Sequence, residues 1–407
     1  MKTSQRMMAE RQNKVVELGR GRRGPSAGAF RDTSEVIRKL APVLPVYCYS
    51  PEAVRVQARR FLEGFPGETA YAVKANAERV IVKAVADAGV RWFDVASMSE
   101  IALVRELAPD ATLLYDNPVR SREEIEEAYR AYGVRSFALD DSREFEKLRA
   151  IIGEDPTVQL TVRFKLPRKS ASQDLSSKFG AVRETAIALL RQVAAAGYQP
   201  ALTFHPGSQC RETAAYVDHI QAAAEIAKAA GVTGGMINVG GGFPAAYLNS
   251  DVPPLEDYFL SIDHAWRANF DPSRWHLCCE PGRGLIAPTA SLLTRVKHRR
   301  DGNVIFLNDG IYGGLMEQYM YKVAMPVRAF RGPEVLDGPA EEFTVFGPTC
   351  DSTDCLPLRQ TLPAGVAEGD WVEFGLMGAY GSATATRFNG FASEQYVEVE
   401  NVFRTAD

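Results

Sequence analysis

The stretch TAYAVKANAERVIVKAVADAGVRWFDVASMSEIALVRELAPDATLLY, residues 69–115, decides the fold class of this chain. Three short apolar runs in it, Thr69–Val73, Arg91–Val95 and Ala111–Tyr115, have the length and composition of buried strands. Segments with apolar residues at helical spacing separate these runs. An alternation of this kind predicts β/α units whose strands run parallel.

The alternation continues toward the C-terminus. Five further runs follow at Val134–Leu139, Val158–Phe164, Ala201–Phe204, Met236–Val239 and His276–Cys279. Eight β/α units in succession predict an α/β chain with a (β/α)₈ barrel rather than an open doubly wound sheet.

The predicted helix ends agree with this alternation. Ser97 with Glu100 and Ser121 with Glu124 have the spacing of capping boxes, which open helices. Glycines stand where helices should end, at Gly89, Gly133, Gly153, Gly197 and Gly231.

The flanking segments differ in character from the barrel. LPVYCYS (44–50) predicts a strand, and an amphipathic helix from Ser50 to Phe65 follows it. Beyond residue 300 the helical signal fades, and strands are predicted at 303–308, 342–346, 370–375 and 394–400.

We therefore divide the chain into three parts. An irregular N-terminal arm with one weak helix is predicted over 1–43, the barrel over 44–300 and a C-terminal β domain over 301–407. The early strand at 44–50 is expected to join the β domain.

Composition excludes several classes of function. The chain has 407 residues, 46% hydrophobic and 24% charged, with a net charge of -4, so it is globular and has no overall basic field for nucleic acid. No apolar run is long enough to span a membrane. Six cysteines without a CxxC pair argue against a disulfide framework or a metal site and favour a reducing, cytoplasmic location.

Polar residues lie at or just after the ends of five of the eight predicted strands and a glycine run follows a sixth, where barrel enzymes place their catalytic groups. These residues are Lys74, Asp94, Arg163, His205, the run Gly240–Gly242, and Glu280 with Arg283. Each alone has a simpler explanation: a solvated lysine, a structural histidine, a tight glycine turn, a turn-capping glutamate. Together, a lysine for an aldehyde, a glycine cradle for phosphate and a buried carboxylate for a ring nitrogen indicate pyridoxal 5'-phosphate.

A series of motifs in the same order resembles the ornithine/diaminopimelate/arginine decarboxylases, pyridoxal-phosphate enzymes of the alanine-racemase fold type. The motifs are YAVKAN, FDVAS, SKFGA, HPGSQC, GGGFP, EPGR, NDGIYG, GPTCDSTD and MGAYGSATATRFNGF, between about residues 44 and 400. GPTCD and FNGF are similar to the ornithine decarboxylase branch.

The resemblance implies a role for each matching residue. Lys74 would be the Schiff-base lysine, His205 would stack on the cofactor ring and Glu280 would pair with its nitrogen. The phosphate would be held by Ser208, Gly241, Gly242, Arg283 and Tyr380. Asp94 and Arg163 would support the ring edge.

The C-terminal motifs imply the substrate site. Cys350 would return a proton to Cα after CO₂ leaves, so that Lys74, Cys350 and His205 form the catalytic set. Asp351 would bind the distal amine, and Tyr312 and Phe388 would line the same site. In the family Cys350 and Asp351 reach into the partner subunit's site, which Phe388 would also line, and this implies a head-to-tail homodimer.

The sequence departs from the family pattern at two places, one that affects backbone stiffness and one that affects substrate specificity. Pro206 follows His205 where the family usually has valine or isoleucine, and it stiffens the backbone. The stretch GLMEQYMYKVAMP lacks the aspartate that is a second amine anchor in eukaryotic ornithine decarboxylases. Glu317 is the one acidic residue in this stretch. Glu317 is expected on a solvated helix face, with substitution for the missing aspartate as the alternative.

The expected activity is decarboxylation of ornithine to putrescine in polyamine biosynthesis, with lysine to cadaverine possible. Three alternatives stay open at this stage. They are decarboxylation of another diamino acid such as diaminopimelate, a racemase on the same fold, and an inhibitor-type homologue without cofactor. The intact Lys74, Glu280, glycine run and Cys350 argue against the last of these.

Overall fold

A computed structural model describes residues 29–166 and 178–404. These residues form two compact units. The first consists of Arg55–Pro244 with Val252–Leu285, and the second of residues 29–54, Ala245–Asp251 and 286–404. Within the described residues, we find no helix whose length and apolarity would let it cross a membrane.

The chain begins with three short elements. They are helix α1 (Thr33–Leu40), strand β1 (Val46–Tyr49) and helix α2 (Pro51–Gly64).

The first unit contains a closed parallel barrel. Its strands are β2 (Glu68–Ala72), β3 (Trp92–Val95), β4 (Thr112–Tyr115), β5 (Ser136–Leu139), β6 (Gln159–Arg163), β7 (Gln199–Thr203), β8 (Gly235–Asn238) and β9 (Trp275–Cys279). The pairing of Glu68 with Cys278 and of Thr69 with Cys279 closes the ring. The predicted fold class and all eight predicted strand positions are confirmed to within about two residues.

Helices follow the barrel strands. They are α3 (Arg79–Asp87), α4 (Met98–Leu107), α5 (Arg122–Arg130), α6 (Ser142–Ile152), α7 (Arg183–Ala195), α8 (Ala214–Ala230), α9 (Leu255–Asn269) and the short α10 (Arg283–Ile286). All five glycines predicted to end helices have positive φ. Gly231, for example, ends α8 in the left-handed region, where its N–H donates to the carbonyls of Ala227 and Lys228.

One of the two predicted capping boxes forms completely. Ser121 and Glu124 exchange both hydrogen bonds at the start of α5. At the start of α4, Ser97 accepts from the backbone N–H of Glu100, but the Glu100 carboxylate accepts from the N–H of Ala96 at 2.7 Å. The reciprocal half of that predicted box is therefore wrong, because the carboxylate reaches one residue further back.

Nine strands of the second unit form one sheet within the described residues. Beyond β1 they are β10 (Ala290–Arg300), β11 (Val304–Leu307), β12 (Val327–Arg331), β13 (Glu334–Val335), β14 (Ala340–Phe346), β15 (Gln360–Pro363), β16 (Trp371–Phe374) and β17 (Gln395–Glu398), and the short helix α11 (Met316–Tyr321) lies between β11 and β12. The early strand β1 pairs with β10 and β17, so it belongs to this sheet as expected.

Strand β10 is the central strand that the sequence patterns missed. It pairs with β1, β11 and β16. Its first half is buried, whereas its second half, Val296–Arg300, is largely charged and mostly outside the core, which hides the strand pattern. The sheet therefore begins before residue 301, where the sequence placed the start of the β domain.

The helix predicted within the N-terminal arm is part of the core of this unit. Val36, Ile37 and Leu40 of α1 are buried together with Leu293 and Phe330. Residues 33–40 are therefore packed rather than irregular, and residues 1–28 lie outside the described part.

A buried carboxylate joins α1 to the sheet. Glu373 is 0% exposed and accepts from the hydroxyls of Thr33 and Ser291, each at 2.6 Å. Its second oxygen accepts from Nε of Arg328 at 2.7 Å. The carboxylate end of all three bonds is shielded from water, whereas the Arg328 side chain is 29% exposed.

We expect Glu373→Gln to lower the free energy of unfolding by about 1–3 kcal/mol, because the partly buried Arg328 then loses its ion-pair partner. Chemical denaturation of wild type and variant measures this loss. Glu368→Gln is the matched control, since the Glu368 side chain is 69% exposed. Equal, small shifts for both variants would show that Glu373 is not a structural anchor.

Candidate active site

The end of β2 brings a lysine to a buried carboxylate. Lys74 lies in a 3₁₀ turn, Val73–Ala75, directly after the strand. Its Nζ is 2.7 Å from Oδ2 of Asp94 on β3. The Lys74 side chain is 44% exposed whereas that of Asp94 is 2% exposed, so the amine lies at the barrel mouth above a buried partner.

The charge state of Asp94 suits proton exchange with this amine. Burial raises the pKa of Asp94 to about 6, Lys74 opposes the rise, and the carboxylate of Glu280 adds to it. A carboxylate of this kind, within hydrogen-bond reach, can take a proton from Nζ of Lys74 and leave a neutral, nucleophilic amine.

His205 follows β7 and has a fixed ring. Its Nδ1 accepts a hydrogen bond from the N–H of Gly207 at 3.1 Å. Burial lowers the pKa of His205 well below its usual value, and the positive charges of Arg163 and Lys74 lower it further. The imidazole is therefore neutral, which suits a flat stacking surface.

The glycine run after β8 cannot carry side chains. A Cβ on Gly240 would lie 2.1 Å from the carbonyl oxygen of Phe204, and one on Gly242 would lie 2.5 Å from that of Gly207. A Cβ on Gly241 would meet the carbonyl oxygen of Glu280 at 2.9 Å. The run must therefore be glycine for the chain to pack this closely beside His205 and Glu280, and an anion site at its N–H groups stays a prediction.

The side chains of Arg283 and Ser208 lie near this run. Arg283 is 4% exposed, and its Nη2 is 3.4 Å from Oγ of Ser208. The N–H of Cys210, two residues after Ser208, donates to the carbonyl of Gly242 at 2.9 Å. The structure thus brings together Ser208, Arg283 and the glycine run. The resemblance predicted that these residues hold one phosphate.

Glu280 follows β9 and lies in a cluster that sequence reasoning only partly found. Glu280 and Asp116 are 6% and 8% exposed, and Asn238 between them is 0% exposed. Nδ2 of Asn238 donates to Oδ2 of Asp116 at 3.1 Å and also to Oε1 of Glu280. Burial raises the pKa of Glu280 well above its usual value, and the charge of Asp116 raises it further.

Asp116 and Asn238 were not among the predicted site residues. Asp116 directly follows β4, and Asn238 is the last residue of β8. The rule that selected the other residues, a polar group at the end of a barrel strand, would have selected both.

The predicted substrate residues form a second cluster, in the β unit. The hydroxyl of Tyr312 donates to Oδ2 of Asp351 at 2.5 Å, and the ring of Phe388 packs on that of Tyr312 with centroids 4.9 Å apart. Cys350 is exposed, and its N–H donates to the side chain of Asn389 at 3.0 Å. The Tyr312 hydrogen bond holds the pKa of Asp351 below its usual value, so Asp351 is an anion.

Two other predicted residues need comment. Tyr380 lies in the β unit with a left-handed backbone, φ 56°, and its phosphate contact stays a prediction. Glu317 is 2% exposed, so the expected solvated position on a helix is wrong. Glu317 and Gln318 are both buried in α11.

Comparisons with known proteins agree with this geometry. The profile of the pyridoxal-dependent decarboxylase family, for its pyridoxal binding domain, matches residues 52–287. A lysine/ornithine decarboxylase from Selenomonas ruminantium is 34% identical over 337 residues, 79% of this chain and 80% of that protein. A decarboxylase from Aspergillus flavus is 32% identical over 361 residues, 83% of this chain and 80% of that protein.

A solved structure shares the fold along most of the chain. The lysine/ornithine decarboxylase of Vibrio vulnificus, complexed with cadaverine, superposes with a TM-score of 0.78 and 27% identity. The superposition covers 91% of this chain and 98% of that one.

The barrel residues fit pyridoxal phosphate. They provide an amine for the aldehyde, a flat neutral ring, a buried carboxyl group for the pyridine nitrogen, and a glycine run that only glycine can form. Arg283 and Ser208 add a cation and a hydroxyl for the phosphate.

We expect Lys74→Ala to lose nearly all turnover, and borohydride to fix the cofactor to the Lys74 peptide of the wild type but to no peptide of the variant. The physical reason is that Nζ of Lys74 is the amine held at the mouth beside a proton acceptor. Peptide mass spectrometry after reduction gives the readout.

Lys83→Ala is the matched control, because Lys83 lies on the outside of α3, 54% exposed and paired with Asp87. It should behave as wild type. Label on another lysine, or turnover at the wild-type rate in Lys74→Ala, would end the assignment.

Proposed function

Because this chain belongs to the pyridoxal-dependent decarboxylase family, we propose that it removes the α-carboxyl group of a basic L-amino acid, and that its preferred reaction is ornithine to putrescine. The observation that carries the basic substrate is the anionic Asp351 beside the exposed thiol of Cys350. Relatives named as lysine/ornithine decarboxylases support the same class.

The barrel residues hold and polarise the cofactor in this proposal. When bound, pyridoxal phosphate provides the aldehyde for the substrate amine and a ring that withdraws the electron pair left by departing CO₂. His205 supports the face of the ring and Glu280 keeps its nitrogen charged. By the family resemblance, Ser208, Gly241, Gly242, Arg283 and Tyr380 would hold the phosphate, and Asp94 and Arg163 would support the ring edge.

Lys74 and Asp94 exchange the proton of the lysine amine. At 2.7 Å, Asp94 accepts a proton from Nζ of Lys74 and returns it when the substrate amine replaces the lysine. The exchange requires that the carboxyl titrate near neutrality, which agrees with a pKa of about 6 for Asp94.

Cys350 provides the last proton. Its thiol, exposed on a loop of the β unit, protonates Cα after CO₂ has left. General acid catalysis of this kind is worth on the order of 10²–10⁴ in rate. The backbone bond from Cys350 to Asn389 holds the loop that presents the thiol.

Asp351 selects the substrate. A distal ammonium in a desolvated site needs a carboxylate, because an unpaired buried charge is very costly. The hydroxyl of Tyr312 and the N–H of Thr353 hold the Asp351 carboxylate at 2.5 and 2.8 Å, so its position is fixed before substrate binds.

The working form in this proposal is a head-to-tail homodimer. An exposed thiol, a carboxylate and a tilted aromatic pair in one loop cluster of the β unit suit residues that complete a site in a second copy. All six cysteines are free, which supports a reducing, cytoplasmic compartment.

We expect CO₂ release to be fastest with L-ornithine and slower with L-lysine, and to be slight with L-arginine and meso-diaminopimelate. Asp351→Ala should cost about 3–5 kcal/mol in kcat/KM for ornithine, mainly through KM, because the ammonium loses its partner. Steady-state kinetics with all four amino acids measures both statements.

Norvaline, which lacks the distal ammonium, is the control substrate. The Asp351→Ala loss should be much smaller with it. Equal losses for ornithine and norvaline would show that Asp351 holds the loop instead of the amine, and no CO₂ from any basic amino acid would refute the function.

We expect a mixture of Lys74→Ala and Cys350→Ala proteins to regain part of the activity that each lacks. In a shared-site dimer, one of the two sites in a mixed pair receives both native residues. The measurement is turnover before and after subunit exchange, followed by mass spectrometry of intact dimers. Mixed dimers that form without recovery would contradict the composite site.

A further inference from the structure

A buried carboxyl group that the proposed function does not use lies next to Glu280. Asp116 directly follows β4 and is 8% exposed. A single amide nitrogen, Nδ2 of Asn238, donates to both carboxyl groups. The other end of that amide accepts from the N–H of Gly240 at 2.9 Å, so the bridging side chain cannot rotate away.

One oxygen of Asp116 has no ordinary hydrogen-bond donor. Oδ1 is buried and, among the described residues, makes no hydrogen bond to a donor group. An ionised carboxylate with an unsatisfied buried oxygen is costly, and two adjoining carboxylates cannot both ionise cheaply. A proton between Asp116 and Glu280 removes both costs, because the pair then makes its own hydrogen bond.

The charges that face this pair agree with one proton. Three carboxyl groups, Asp94, Asp116 and Glu280, act on one another, and the cations that act on Asp116 are Lys74 and Arg163. One shared proton leaves two negative charges opposite two positive charges. Burial raises the pKa of Asp116 as it raises that of Glu280.

We propose that Asp116 is a positioning residue that shares one proton with Glu280, and that Asp116 keeps this proton when Glu280 pairs as an anion with the ring nitrogen of the cofactor. The inference rests on the proposed role of Glu280. The proton passes from the Glu280 carboxyl to Oδ1 of Asp116, which then donates it in a hydrogen bond back to Glu280. No proton enters or leaves the pair when the ring arrives protonated.

The pair explains how a deeply buried glutamate serves two states. Without cofactor, Glu280 and Asp116 would repel each other if both were ionised, so one of them holds a proton. With cofactor, a protonated Glu280 would lose its ion pair to the ring. Asp116 can hold the proton that Glu280 gives up, since both buried carboxyl groups accept from the same amide nitrogen of Asn238.

Infrared difference spectroscopy on the cofactor-free protein tests the shared proton. The wild-type spectrum minus that of Asp116→Asn should contain a protonated-carboxyl C=O band at neutral pH. The band is lost in the variant because Glu280 no longer faces a second carboxylate, keeps Lys74 and Asn238 as favourable partners, and ionises. Asp116→Ala should lose it as well, and Asp110→Asn, at an exposed position of the same unit, should retain it.

The same spectra after loading with pyridoxal phosphate test where the proton goes. The wild type should keep a protonated-carboxyl band, shifted in frequency. A band that persists in both Asp116 variants would overturn the shared proton, and a band that disappears on loading would overturn its retention by Asp116. Failure to bind the cofactor at all is seen separately as a colourless protein and refutes the proposed function, while the cofactor-free spectra still decide whether the proton is shared.

The cofactor-free protein gives an independent readout in its stability. A carboxyl group whose pKa is raised by folding stabilises the folded protein at low pH. This stabilisation is lost as pH rises from the pKa of the unfolded state through that of the folded state. Asp116→Asn removes one such group and removes the repulsion that raises the pKa of Glu280. The melting temperature of the variant should therefore rise relative to that of the wild type as pH increases over that range. A difference that does not change with pH would contradict the pair.

Discussion

The arrangement of the whole site depends on negative charge buried at the carboxyl ends of the barrel strands. Asp94, Asp116 and Glu280 are each less than a tenth exposed. Buried charge of one sign is tolerated only with counter-charges or shared protons, and Lys74 and Arg163 are the cations that act on it. The same barrel rim therefore holds a lysine close to a proton acceptor and a glutamate able to face a charged ring, which is what the chemistry of an amino-acid decarboxylase requires.

Much of the fold could be predicted from pattern alone. Strands such as Ser136–Leu139 are buried along their whole length because a parallel barrel buries both faces, and their mostly apolar sequence is hard to mistake. Strand Ala290–Arg300 was missed because its charged second half is solvated and shows no such run. Helix Thr33–Leu40 was taken for part of an arm because eight residues contain only a few apolar positions, and tertiary packing decides their fate.

The barrel half of the site was predictable because barrel geometry converts strand order into spatial neighbourhood. Lys74, Asp94 and Glu280 were found in this way, and the resemblance added their roles. Asp116 was overlooked although it ends a strand, since no family motif pointed to it. The burial of Glu317 depends on how a short helix packs, which the sequence does not encode locally.

The central claim is that a buried carboxylate, Glu280, keeps the pyridine nitrogen of the cofactor protonated. Nitrogen NMR of the protein loaded with ¹⁵N-labelled pyridoxal phosphate measures this proton directly. The account predicts a protonated ring nitrogen at neutral pH in the wild type and an unprotonated one in Glu280→Gln. An unprotonated nitrogen in the wild type, or one that stays protonated in Glu280→Gln, would contradict it.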